Sequence, residues 1–71
     1  MSVYKKIEIV GTSKTSFAEA VKVAVAEAGK SVRKMSWFEV VEQRGAIKDG
    51  KTLEFQVTIR VGFKIERNPA P

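Results

Sequence analysis

Trp37-Phe38-Glu39-Val40-Val41 opens the longest alternating segment of the chain and contains its single tryptophan. Read as a strand, it sends Phe38 and Val40 to one face and Trp37, Glu39 and Val41 to the other. The next segment places Leu53, Phe55, Val57, Ile59, Val61, Phe63 and Ile65 at strict period two, which fixes a buried face. Glu54, Gln56, Thr58, Arg60, Gly62 and Lys64 fall on the opposite face. Lys48-Asp49-Gly50-Lys51 joins the two segments, and Asp-Gly between alternating runs is a strong hairpin signal. With Asp49-Gly50 as a two-residue loop, Phe38 opposes Val61, Val40 opposes Ile59, Glu39 opposes Arg60, Val41 opposes Thr58 and Trp37 opposes Gly62. Hydrophobic pattern and turn agree on this register, and a one-residue slip would break both. Trp37 then lies on the side of the sheet that a helix does not cover. There it is half-exposed, covered by another subunit or holding a ligand.

Working outward, Val3 to Val10 alternates and reads as a strand ending at Gly11. Ser16, with Glu19 three residues on, is a capping-box candidate. Phe17, Val21, Ala24, Val25, Ala28 and Val32 then recur at helical spacing as one apolar stripe, and the helix is expected to end between Gly29 and Val32. Strands follow over Ser36 to Ile47 and Thr52 to Glu66. The predicted fold is α+β in the order β-α-β-β, a three-stranded antiparallel sheet packed on one helix. One domain over residues 1–66 and a flexible tail over 67–71, with Pro69 and Pro71 unable to extend a ladder, complete the organisation.

With 71 residues, no cysteine and no histidine, thiol nucleophiles, imidazole bases and soft metal sites are excluded. A domain this small gains little net stability from its own core, so self-association is expected, with Trp37 and Val41 as candidate contacts. Absence of cysteine fits a cytoplasmic protein, and neither a signal-peptide core nor a membrane span is visible. The net charge of +5 points to anionic partners. Parity places Glu42 and Arg44 on the helix side near the hairpin tip, and Glu39 and Glu42 on opposite faces, which makes a catalytic carboxylate pair of these two the weakest of the chemical signals. Glu39 and Arg60 read as a cross-strand ion pair. Trp37 and Gln56 share the outer face, yet Gln56 opposes Gln43, about 20 Å along the strand from Trp37. A site using both is therefore built between protomers; otherwise Trp37 is an interface residue and Gln56 a solvated one.

Tyr4-Lys5-Lys6-Ile7-Glu8-Ile9-Val10-Gly11-Thr12-Ser13, Trp37-Phe38-Glu39-Val40, Arg44-Gly45, Phe55-Gln56-Val57 and Val61-Gly62-Phe63, in this order and spacing, resemble the dodecins. These are small flavin-binding proteins that assemble as hollow homododecamers. The resemblance implies flavin pairs stacked between symmetry-related copies of Trp37, with Gln56 on the polar edge of the ring and Glu42 and Arg44 as further cofactor-binding residues. Ala46 is apolar where some relatives carry an acidic group for the ribityl chain. With the basic charge, this favours FMN over riboflavin, and coenzyme A is a further possible ligand by the same resemblance. The function expected is flavin storage and quenching rather than catalysis, with no membrane partner. The alternative is a basic oligomeric single-strand nucleic-acid-binding module using Trp37 and Tyr4 as stacking platforms; nucleic acid is the less favoured partner, because only Trp37 stands out.

Overall fold

In a computed structural model, residues 1–65 are described; the expected end of the last strand at Glu66 and the tail over 67–71 lie outside them. Four elements follow in the expected order: strand β1 (Tyr4–Ser13), helix α1 (Phe17–Ala28), strand β2 (Met35–Lys48) and strand β3 (Lys51–Lys64). They form one antiparallel sheet in the order β1-β3-β2. The strand richest in alternating β-branched and aromatic residues therefore takes the centre.

The β2–β3 turn is the two-residue loop expected from Asp49-Gly50. Both residues have positive φ, 53° and 74°, as the turn that matches strand twist requires. Around Trp37 the register is as expected, with Trp37 opposite Gly62, Phe38 opposite Val61, Glu39 opposite Arg60 and Val40 opposite Ile59. Past Val40 it departs from expectation. Glu42, not Val41, opposes Thr58, and Arg44, not Gln43, opposes Gln56. Val41 is an extra residue in β2, a bulge of the kind that re-aims the side chains beyond it. Leu53 is the matching extra residue in β3, so Ile47 opposite Thr52 and Lys48 opposite Lys51 return to the turn's own register.

The Val41 bulge reverses which face the following β2 residues occupy. Glu42 and Arg44, expected on the helix side, pair with Thr58 and Gln56 of the outer face, whereas Gln43 pairs with helix-side Val57. Glu39 and Glu42 consequently share a face rather than lying on opposite ones.

The core lies between α1 and the middle of β3. Val57, Ile59 and Val61 are buried against Ala20 and Ala24, with Ile7, Ile9, Phe17, Val21, Val25 and Met35 packed around them. Burying each large aliphatic side chain contributes roughly 1.5–3 kcal/mol. The buried helix line is Ala20, Ala24 and Ala28, rotated from the larger residues of the expected stripe. Small residues there let the helix approach β1 closely. Gly11 sits at that approach: a Cβ on it would strike the Ala20 carbonyl oxygen and lie 2.7 Å from Ala24 Cβ. This glycine passes the strand beneath the helix rather than ending it, and β1 continues to Ser13.

Ser16 Oγ caps the helix by accepting from Glu19 N–H at 3.0 Å. The reciprocal arm of the expected capping box is replaced, since Ser16 N–H donates to Ser13 Oγ at 3.4 Å. The helix ends at Ala28, just ahead of the expected window, although Val32 N–H still reaches the Ala28 carbonyl at 2.9 Å.

Twelve helical residues span about 18 Å, and a fourteen-residue strand more than twice that. The helix rests on β1 and β3. Phe38 and Val40, on the helix-facing side of β2, stay half-exposed, as do Leu53 near the start of β3 and Ile65 just beyond its end. Among the described residues, no helix is long and apolar enough to cross a membrane.

Candidate functional site

The outer face of the sheet carries two side-chain clusters. The first surrounds Trp37. Its row across the sheet runs Lys6, Gly62, Trp37, and the next row runs Glu8, Arg60, Glu39. Because Gly62 has no side chain, the indole lies over it, and a Cβ there would overlap the ring. Tyr4 meets the indole with ring centroids 5.1 Å apart at 56°. Trp37 Nε1–H donates to Glu39 Oε1 at 3.0 Å, and Lys6 Nζ sits 2.6 Å from the same oxygen. These contacts orient an indole that keeps 39% of its surface exposed.

The Glu39–Arg60 ion pair expected from their opposition gives way to two others. Glu39 takes Lys6, and Arg60 Nε donates to Glu8 Oε1 at 3.0 Å. Arg60 lies in the central strand with a carboxylate on each side, and Lys6 reaches across the bare position at Gly62. The hydrogen bond from Lys6 lowers the Glu39 pKa most, followed by that from Trp37, with the charges of Lys6 and Arg60 adding to them. Such surface pairs contribute little to stability; their effect here is to hold the indole's N–H side.

The second cluster centres on Gln56. Arg44 Nε donates to Gln56 Oε1 at 2.6 Å, and Gln56 Nε2 donates to Glu54 Oε1 at 2.8 Å. Arg44 Nη1 also lies 3.8 Å from Glu42 Oε1. Three of the four expected site residues, Gln56, Glu42 and Arg44, thus form one connected group. Trp37 stands apart on the same face, about 20 Å away by strand rise.

Strand parity already places Tyr4 and Lys6 on the outer face. It does not say which strand lies beside which, so their contact with Trp37 and Glu39 emerges only from the β1-β3-β2 order. Glu54 carries even less signal, as one acidic residue on an exposed strand face. Among the described residues, no group of three or more His, Cys, Asp or Glu side chains is placed to hold a metal ion.

The Dodecin family model matches residues 3–66. The chain is 47% identical over 64 residues to a dodecin of Thermus thermophilus, spanning 90% of this chain and 93% of that one. It is 38% identical over 65 residues to a Mycobacterium tuberculosis protein named calcium dodecin, with 92% of each covered. The structure of a dodecin from Streptomyces coelicolor superposes with a TM-score of 0.90 at 40% identity, covering 94% of this chain and 96% of that one. Family match, sequence identity and superposition converge over nearly the whole chain, which belongs to the dodecin family.

Proposed function

We propose that this protein is a flavin-binding homododecamer that stores flavin and quenches its excited state, with isoalloxazine rings stacked on Trp37 at contacts between protomers. The observation that carries the reading is Trp37 itself. A half-exposed indole is oriented by Gly62, Tyr4 and Glu39 on a sheet face that the protein's own helix leaves open. An indole oriented in this way offers a planar ligand a ready stacking surface, worth roughly 0.5–1.5 kcal/mol per contact beyond area burial. Gln56, Glu42 and Arg44 supply polar groups from a second protomer, since their distance from Trp37 within one chain forbids a shared ligand. The half-exposed apolar residues Phe38, Val40 and Leu53 supply contact surface for assembly.

The charge of +5 favours FMN over riboflavin through the phosphate. Coenzyme A as a second ligand rests on family resemblance alone. A binding role rather than catalysis suits a chain without His or Cys to serve a proton or hydride transfer at the ring. Calcium, the ion in the name of the M. tuberculosis relative, is less well supported for this chain, whose described residues offer no acidic cluster. Single-stranded nucleic acid is also less well served, because Tyr4 and Trp37 form one joint aromatic surface rather than platforms spaced for successive bases.

The test is the visible absorption spectrum of the purified protein, followed by an FMN titration read by flavin fluorescence. Wild type should quench FMN in an assembly near twelve times 7.9 kDa, and Trp37→Ala should assemble without quenching. A particle of single-chain mass with intact strands, or equal quenching by Trp37→Ala, would overturn the proposal. Oligonucleotide affinity that falls steeply with salt, with no flavin response, would transfer the function to nucleic acid.

A further inference from the structure

Gln56 could present its amide in either of two senses, and an isolated glutamine has little preference between them. Here the neighbours decide. The Arg44 guanidinium has only donors and the Glu54 carboxylate, when ionised, only acceptors. Arg44 Nε is 2.6 Å from Gln56 Oε1, and Gln56 Nε2 is 2.8 Å from Glu54 Oε1. Reversing the amide would turn its N–H groups toward a cation and its oxygen toward an anion. Charge on both partners makes these bonds stronger than neutral ones. Glu54 and Gln56 are two residues apart on β3, and Arg44 stands opposite Gln56 on β2, so the holding groups rest on paired strands rather than a loop.

The amide keeps one N–H on Nε2 and one lone pair on Oε1. The pyrimidine edge of an isoalloxazine alternates carbonyl, N3–H and carbonyl, and takes a donor and an acceptor side by side. Which end of the amide donates determines where along that edge the ring must sit. We propose that Glu54 is a positioning residue which, with Arg44, fixes the sense of the Gln56 amide toward a bound flavin. The inference rests on the flavin reading above and adds to it a residue that touches Gln56 rather than the ligand.

The experiment is a double-mutant cycle between Glu54→Gln and Gln56→Leu, read by FMN quenching titration on the assembled protein. Glu54→Gln keeps the size of the side chain but no longer demands a donor. Freeing a side chain rich in rotamers should weaken FMN about threefold to tenfold, while bound FMN stays quenched because Trp37 is untouched. In the Gln56→Leu background the same change should alter affinity by less than about twofold, since nothing remains to be oriented. Infrared difference spectra should show the flavin carbonyl bands moving toward their free positions in Glu54→Gln. If Glu54→Gln fails to assemble, Glu54→Ala serves in the same cycle. Wild-type affinity in Glu54→Gln, or an equal loss with and without Gln56, would overturn the assignment. A wild-type protein that binds no flavin would overturn the flavin reading itself, and this inference with it.

Discussion

Gly62→Ala and Gly11→Ala make the same chemical change at two strand positions, and the structure assigns them opposite consequences. At Gly62 the new Cβ would lie 2.6 Å from Trp37 Cη2 and closer still to two other ring atoms, where ordinary contact begins at 3.4 Å. The obstacle is the end of a half-exposed side chain, so the ring can yield by about 1 Å without disturbing the core. Yielding costs the contact with Tyr4, worth about 0.5–1.5 kcal/mol, and weakens the Nε1–H bond to Glu39. Against this, alanine relieves the conformational cost of glycine in a strand by roughly 0.5–1 kcal/mol. Stability should change by less than about 1 kcal/mol, while FMN affinity falls about tenfold through the misplaced stacking surface. At Gly11 the new Cβ meets the Ala20 carbonyl oxygen and Ala24 Cβ, backbone and core that cannot move aside. Overpacking of this kind costs about 1–3 kcal/mol, and the high end applies. Thermal melts by far-UV circular dichroism separate the fold effects, FMN titrations separate the binding effects, and emission from the single tryptophan reports the displaced ring. Gly62→Ala binding FMN as wild type does, or melting as early as Gly11→Ala, would refute the reasoning.

Lys34 holds a φ of 63° immediately before β2, a conformation costing a side chain about 1–2 kcal/mol. Lys34→Gly should therefore stabilise the protein by up to about 1 kcal/mol, seen as a higher denaturant midpoint with unchanged slope; a lower midpoint would contradict this. Glu39 has its pKa lowered from 4.5 by Lys6 and Trp37. Its hold on the indole is therefore complete above the ordinary glutamate range and lost as pH falls through the depressed value. Riboflavin, which has no phosphate to titrate, should bind more weakly in that acid window, and the step should be missing in Glu39→Gln; identical pH profiles would remove Glu39 from the account. Mixed assemblies of Trp37→Ala and Gln56→Leu subunits should regain some complete sites wherever the two wild-type side chains meet. Binding equal to the average of the two parents would place both groups in one chain.

The sequence reveals much of this architecture because two independent signals meet in the hairpin. Strict alternation in β3 and Asp49-Gly50 at the turn identify both partners, and the positive φ at both turn residues is what that dipeptide favours. Helix capping by Ser16 is legible for the same local reason. Close approach is harder to read, since Gly11 has the same letter whether it ends a strand or admits a helix. The arrangement of Gln56 with Arg44 is concealed by a different mechanism. Val41 adds one residue to β2 and Leu53 one to β3, so these two shifts cancel and the expected register holds from Trp37 to Val40 and again beside the turn but fails between them. The adjacent apolar pair Val40-Val41 is the sole trace at the first bulge, and neighbouring valines occur equally in an unbroken strand. Yet the bulge is what assembles the site. Without it Gln43 would oppose Gln56, and Arg44 would stand on the helix side with a guanidinium facing the apolar layer. The extra residue brings Glu42, Arg44 and Gln56 onto one face with Trp37, so the feature least visible in the sequence is the one that creates the polar half of the proposed site.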